Sequence, residues 1–100
     1  MQYSIKTSGG ATDITLDGRL TFSDAPSYAK FLEELGKAPK THWTFHLGKL
    51  EFIDSTGMSL FVHVYDLANA DNIKVTIVNS TGPVREALER AAFQTLFELK

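Results

Sequence analysis

The chain has no cysteine. Disulfides, thiol catalysis and cysteine-ligated zinc are therefore excluded. That composition is compatible with a reducing compartment, and the expected location is cytoplasmic. No apolar run approaches the roughly 20 residues that a membrane span requires. Met1-Gln2-Tyr3-Ser4 enters an alternating pattern directly, without a basic, apolar leader. Ten Lys and Arg stand against twelve Asp and Glu, a formal charge of −2, and the basic residues are scattered. A nucleic-acid partner is therefore not expected. Lys37 and Lys40 flank Pro39 and read as a solvated loop rather than a phosphate clamp. Repeats, low-complexity tracts and linkers are also missing.

What is present suits one compact α/β domain over residues 1–100. A hydrophobic fraction of 43% over that length builds a core without staples. Tyr3, Ile5 and Thr7 alternate with polar residues, Ser8-Gly9-Gly10 marks a hairpin, and Ile14 and Leu16 carry the return strand. Gly18 is expected to break that strand. Ser23 and Asp24 are candidate caps for a helix with Pro26 in its first turn. Tyr28, Ala29, Leu32 and Leu35 line its inner face, and Gly36 ends it. His42 to Leu47 is the clearest strand, with Trp43, Phe45 and Leu47 on one side. Met58 to Ala70 reads as a helix, and Ile73 to Val78 as a strand of the buried parallel kind. Residues 42–78 thus form a strand–helix–strand unit whose two strands should be parallel. A last helix opens at Ser80-Thr81-Gly82-Pro83 and turns Val84, Ala87, Leu88 and Ala91 inward. Arg85–Glu89 and Glu86–Arg90 have the spacing of helical charge pairs. Phe93 to Leu99 fits either a strand or a short helix. The sum is a mixed sheet of four or five strands with helices packed largely on one face.

One stretch stands apart. Phe52-Ile53-Asp54-Ser55-Thr56-Gly57 puts an acid, two hydroxyls and a glycine where a strand meets the next helix. In open α/β sheets, sites form beyond the carboxyl ends of such strands. The first turn of a helix has free N–H groups and partial positive charge, which suits an added phosphoryl group. Asp, Ser and Thr are also ordinary helix caps, worth about 1 kcal/mol against Ala. Spacing alone leaves both readings open.

From Leu50 to the end, the chain resembles the second half of a STAS domain, the sulfate-transporter and anti-sigma-factor-antagonist fold. The likeness is nearest to the small bacterial anti-sigma factor antagonists, which carry Asp-Ser-Ser/Thr-Gly-Met/Leu at this point. Ile14-Thr15-Leu16-Asp17-Gly18-Arg19-Leu20 is similar to the family's strand ending in Gly-x-Leu; Phe22 stands where the family often has Asp or Thr. The resemblance implies that Ser55 is the phosphorylated residue, supported by Asp54, Thr56 and Gly57. Thr56 is expected to cap the helix and Gly57 to admit the partner. Met58, Ser59 and Val62 would bind that partner, with Tyr65 beside them. The partners implied are a serine kinase/anti-sigma factor with a histidine-kinase-like ATP site and a metal-dependent, PP2C-type phosphatase. The chain itself would be no enzyme and would need no cofactor. The alternative is a constitutive STAS subunit of a larger assembly, such as a lipid-transport ATPase complex.

Other constellations carry less. His42, His46 and His63 lack an acidic or cysteine companion to complete a metal site. Ser55 has no Gly-x-Ser-x-Gly elbow around it for nucleophilic catalysis. Asn79-Ser80-Thr81-Gly82 lacks the lysine of a P-loop and reads as a helix cap.

Overall fold

The computed structural model describes residues 1–39 and 41–100; the loop expectation for Lys40 lies outside the described residues. Strand β1 (Gln2–Ser8) and β2 (Ala11–Leu20) form the expected hairpin, closed by the Ser8–Ala11 pair. Helix α1 spans Ala25–Gly36, β3 His42–His46, β4 Leu50–Ile53 and α2 Ser55–Ala70. Strand β5 covers Lys74–Val78, α3 Gly82–Arg90 and β6 Glu98–Leu99. The strands run β1-β2-β3-β5-β6, with β4 also paired to β2. Among the described strands, only β1 is antiparallel to its neighbour.

The sheet therefore has six strands, one or two more than the sequence suggested. The extra members are short. β4 has the burial pattern buried–exposed–exposed–buried, which is not an alternation, and β6 has two residues. The ambiguous segment near the C-terminus is both things in turn: a 3-10 turn over Phe93–Thr95, then β6.

Gly18 does not end β2. The strand continues to Leu20 but shifts register between Gly18 and Arg19, and Gly18 sits at φ +85°. A side chain rarely tolerates that conformation, so glycine permits the bend. Before it, Ala11–Thr15 pair with β3; at and after it, Gly18–Leu20 pair with β4. One long strand thus holds β3 and β4 end to end along the same edge. Arg19, opposite Phe52 in this register, lies 4.4 Å over the Phe52 ring and covers part of it.

Strand parity sorts the two faces. Ile14, Phe45 and Ile77 form one row across β2, β3 and β5, and all three are fully buried. The alternate row, Asp13, Thr44 and Thr76, belongs to the polar face, where His46 Nε2 meets Asp13 Oδ1 at 2.8 Å and His42 Nε2 meets Thr76 Oγ1 at 2.9 Å. The helices supply Phe31, Leu35, Leu60, Phe61, Val84 and Leu88 to the same core cluster as that apolar row. Ring contacts run from Tyr3 through Phe31, Phe45 and Phe61 to Phe97, with centroids 5.0 to 6.4 Å apart. Edge-to-face packing of this kind fills volume while fixing orientation. Two expected inner-face residues, Ala29 and Ala91, are exposed; Phe31 and Phe93 occupy the core instead.

Gly57 is buried where α2 begins to cross β2. A Cβ there would fall far inside contact distance of the Leu20 carbonyl oxygen and 2.8 Å from Ile53 Cγ1. The glycine thus serves an internal close approach between α2, β2 and β4. Gly57→Ala should lower unfolding stability by about 1–3 kcal/mol, the usual cost of overpacking. Urea denaturation measures it; a variant as stable as the parent would mean that α2 can lift off β2 freely.

Tyr28 of α1 is nearly buried and donates from its hydroxyl to the Thr21 carbonyl at 3.0 Å. Burial, then the Asp24 and Asp54 carboxylates, push its phenol up to about 12. A raised folded pKa means stability that is intact below the ordinary tyrosine pKa, about 10, and is lost as pH rises through the folded value. Between about pH 8 and pH 11, the parent should lose about 1 kcal/mol more than Tyr28→Phe. Equal losses would show that Tyr28 ionises as easily in the folded chain.

Candidate functional site

Ile53 is the last residue of β4 and is buried; Asp54, which follows, is extended, at φ −105° and ψ −175°. That is the backbone of a helix N-cap. Its Oδ1 accepts the Gly57 N–H at 2.8 Å, and its Oδ2 accepts the Phe22 N–H at 3.0 Å. The Asp54 N–H donates to the Leu20 carbonyl at 3.1 Å, and the Asp54 carbonyl accepts from Met58 N–H at 2.9 Å. One residue therefore joins the end of β4, the start of α2 and the loop leaving β2.

That loop is held from its other side as well. Asp24 Oδ2 accepts the Thr21 N–H at 2.9 Å, and the Thr21 carbonyl accepts the Asp24 N–H at 2.9 Å. Asp24 stands at the N-cap position of α1, one of the two positions expected, with Pro26 in the first turn. Phe22 projects from this ordered loop and is 70% exposed. Sequence reasoning missed its prominence. The available signal was an aromatic residue among cap-type residues, belonging to neither flanking periodic face.

Since Asp54 is the cap, the expectation that Thr56 caps is overturned. Thr56 lies within the first turn and is half-buried. Ser55 is the first residue of α2 and is exposed. Among the described residues its hydroxyl makes no hydrogen bond, while its carbonyl accepts from the Ser59 hydroxyl at 3.1 Å. Ser59 and Val62 are exposed too, four and seven residues on, so the three form a stripe along α2. Tyr65 is partly withdrawn, its ring 6.0 Å from that of Phe97.

Met58 is half-buried and, with Ser55, lines a groove beside that stripe. The groove, of about 340 Å³, runs between the start of α2 and the last turn of α3. Asp54, Ser55 and Met58 form one wall, and Ala87, Arg90 and Ala91 the other. Arg90 is a second residue that sequence reasoning did not place here, because its spacing assigned it to Glu86. The Arg85–Glu89 pair does form, at 3.5 Å, but among the described residues Glu86 and Arg90 do not pair.

The remaining candidates do not converge on the site. His42 and His46 lie on the polar sheet face and His63 on α2; no group of described residues is arranged to hold a metal. Thr81 occupies the N-cap position of α3 but makes no side-chain cap bond. No described helix is long and apolar enough to cross a membrane.

Comparison with solved structures places this arrangement among known folds. An anti-sigma factor antagonist from Mycobacterium paratuberculosis superposes with a TM-score of 0.84 at 15% identity, over 98% of this chain and 83% of that one. The anti-sigma factor antagonist SpoIIAA, in its unphosphorylated form, superposes at 0.73 with 17% identity, over 99% and 87% of the two chains. A sulfate transporter family protein from Wolinella succinogenes also scores 0.73, at 18% identity, over 91% and 75%. No curated protein matches by sequence. The STAS domain family model matches residues 2–100, and with the mixed sheet and its one-sided helices in place, the chain belongs to that family.

Proposed function

We propose that this STAS domain is a phosphorylation-controlled protein-binding switch of the anti-sigma factor antagonist type. Unphosphorylated, it binds a serine kinase that also acts as an anti-sigma factor; phosphorylation of Ser55 ends that complex, and a PP2C-type phosphatase restores it. The observation that carries this reading is the free, exposed hydroxyl of Ser55 beside a cap that Asp54 already completes. Among the described residues the hydroxyl has no hydrogen bond to lose.

In the transfer, the Ser55 oxygen forms a bond to the γ-phosphorus of the kinase's ATP. The bond from that phosphorus to the β,γ-bridging oxygen breaks, ADP leaves, and the hydroxyl proton passes to solvent or a kinase base. Asp54 is a positioning residue, since its two oxygens already hold the Gly57 and Phe22 amides. The product carries about −1.5 to −2 charges at the positive end of α2, which the fold tolerates. The bound partner does not: Met58, Ser59 and Val62 would face it beside Ser55, and a dianion pressed against an apolar or acidic surface loses water without gaining a cation from the partner.

Incubation with the cognate kinase and Mg-ATP should label Ser55, with labelling lost in Ser55→Ala and largely kept in Thr56→Ala. Strong labelling of Ser55→Ala would reject the assignment. By calorimetric titration, phosphorylation should weaken partner binding several-hundred-fold, a loss of about 3–4 kcal/mol. Ser55→Asp should act in the same direction, less strongly. Equal affinity for all forms would favour a constitutive subunit of a larger assembly instead.

The cap assignment separates two further variants. Ser55→Ala should change unfolding stability by no more than about 0.5 kcal/mol. Asp54→Ala, which removes the cap, should cost about 0.5–2 kcal/mol or more. Urea unfolding giving the reverse order would return Ser55 to a structural role.

A further inference from the structure

Among the described residues Arg90 makes no ion pair, although Glu86 lies one turn before it. It is exposed in the last turn of α3, and it lines the groove that Ser55 also lines. The other charged lining residue is Asp54, whose carboxylate oxygens are taken up by two backbone amides. No ion pair joins Asp54 to Arg90 among the described residues. The groove thus has one unneutralised guanidinium on the wall opposite a hydroxyl, and Ala87 and Ala91 beside it leave room for a bulky group. The geometry points to Arg90 as the partner, within the same chain, of a phosphate carried on Ser55.

This rests on the reading of Ser55 as the modified residue and adds what becomes of the mark. Guanidinium and phosphate match as a two-pronged, charge-assisted pair. Closing the pair bridges the start of α2 and the end of α3 across the groove. The phosphate is then drawn toward Met58 and α3 rather than left extended in solvent. A partner that seats on Ser55, Ser59 and Val62 meets both the dianion and a groove that has closed. Arg90 has an ordinary alternative role, since a cation in the last turn favours the helix dipole. That role predicts no special response to phosphate on Ser55.

Phosphoserine inserted at position 55 during translation, through a reassigned codon, tests the pairing without any kinase. Phosphorus NMR then follows the second ionisation of the phosphate, ordinarily near pKa 6. Arg90 should hold it low, and Arg90→Gln should raise it by about half a unit, a threefold change in ionisation constant. Arg85→Gln, which alters the Arg already paired with Glu89, should leave it in place. Both substitutions are outside the core, so folding is checked by the unchanged melting of their unphosphorylated forms. Identical titrations with and without Arg90, or an equal shift from Arg85→Gln, would overturn the proposal. Failure of a kinase to label Ser55 would count against the switch alone, because the inserted phosphoserine still reads the Arg90 contact.

Discussion

The carboxylate of Asp54, at the end of β4, ties the first turn of α2 to the loop that leaves β2. One oxygen fixes the first turn of α2 through Gly57, and the other fixes the loop after β2 through Phe22. Hydrogen bonds from backbone amides to a charged acceptor are stronger than neutral ones, about 1.5–3 kcal/mol each in favourable cases. Both fall where Leu20 and Gly57 pack so closely that a methyl group does not fit between them. The fit and the bonds depend on each other: without the close approach, Oδ2 would not reach a loop 32 residues earlier in the chain.

The pairing exists because β2 changes partners at Gly18. Its first half builds the sheet with β3, and its end captures β4, so Leu20 and Ile53 arrive side by side. That geometry was only partly legible in the sequence. β3 was clear because one of its faces is buried and the other polar, giving a strict alternation. β4 was hidden because Phe52 is screened by Arg19 rather than by the core, which removes the period of two. β2 seemed to stop at Gly18 because glycine marks an end and a bend equally well. The parallel β3–α2–β5 unit followed from its pattern alone, as hydrophobic strand, long helix and β-branched strand leave few other arrangements.

The site shows a different limit. Asp54, Ser55 and Thr56 are all good caps by residue type, so the sequence could say that a cap was present but not which residue made it. The backbone decides: Asp54 is extended, while Ser55 and Thr56 already belong to the helix. The space left by the missing Cβ of Gly57 is needed inside the domain, against Leu20 and Ile53, which residue type alone does not reveal. Phe22 and Arg90 were out of reach for a third reason. Each takes its place from what lies near it in space, Asp54 in one case and a groove shared with Ser55 in the other.

The division of labour between neighbours also bears on the proposed modification of this hydroxyl. A serine at the N-cap would accept the amide that holds the first turn, and esterifying its oxygen would disturb that bond. One residue later, the oxygen is outside the bonding pattern but still beside the positive end of the helix. Asp54 keeps the turn formed whether or not Ser55 is esterified. The helix start can therefore change its charge by nearly two units while its geometry stays put. Under the proposed switch, fold and surface charge are separate variables, and a partner that reads the surface would be released without unfolding this domain.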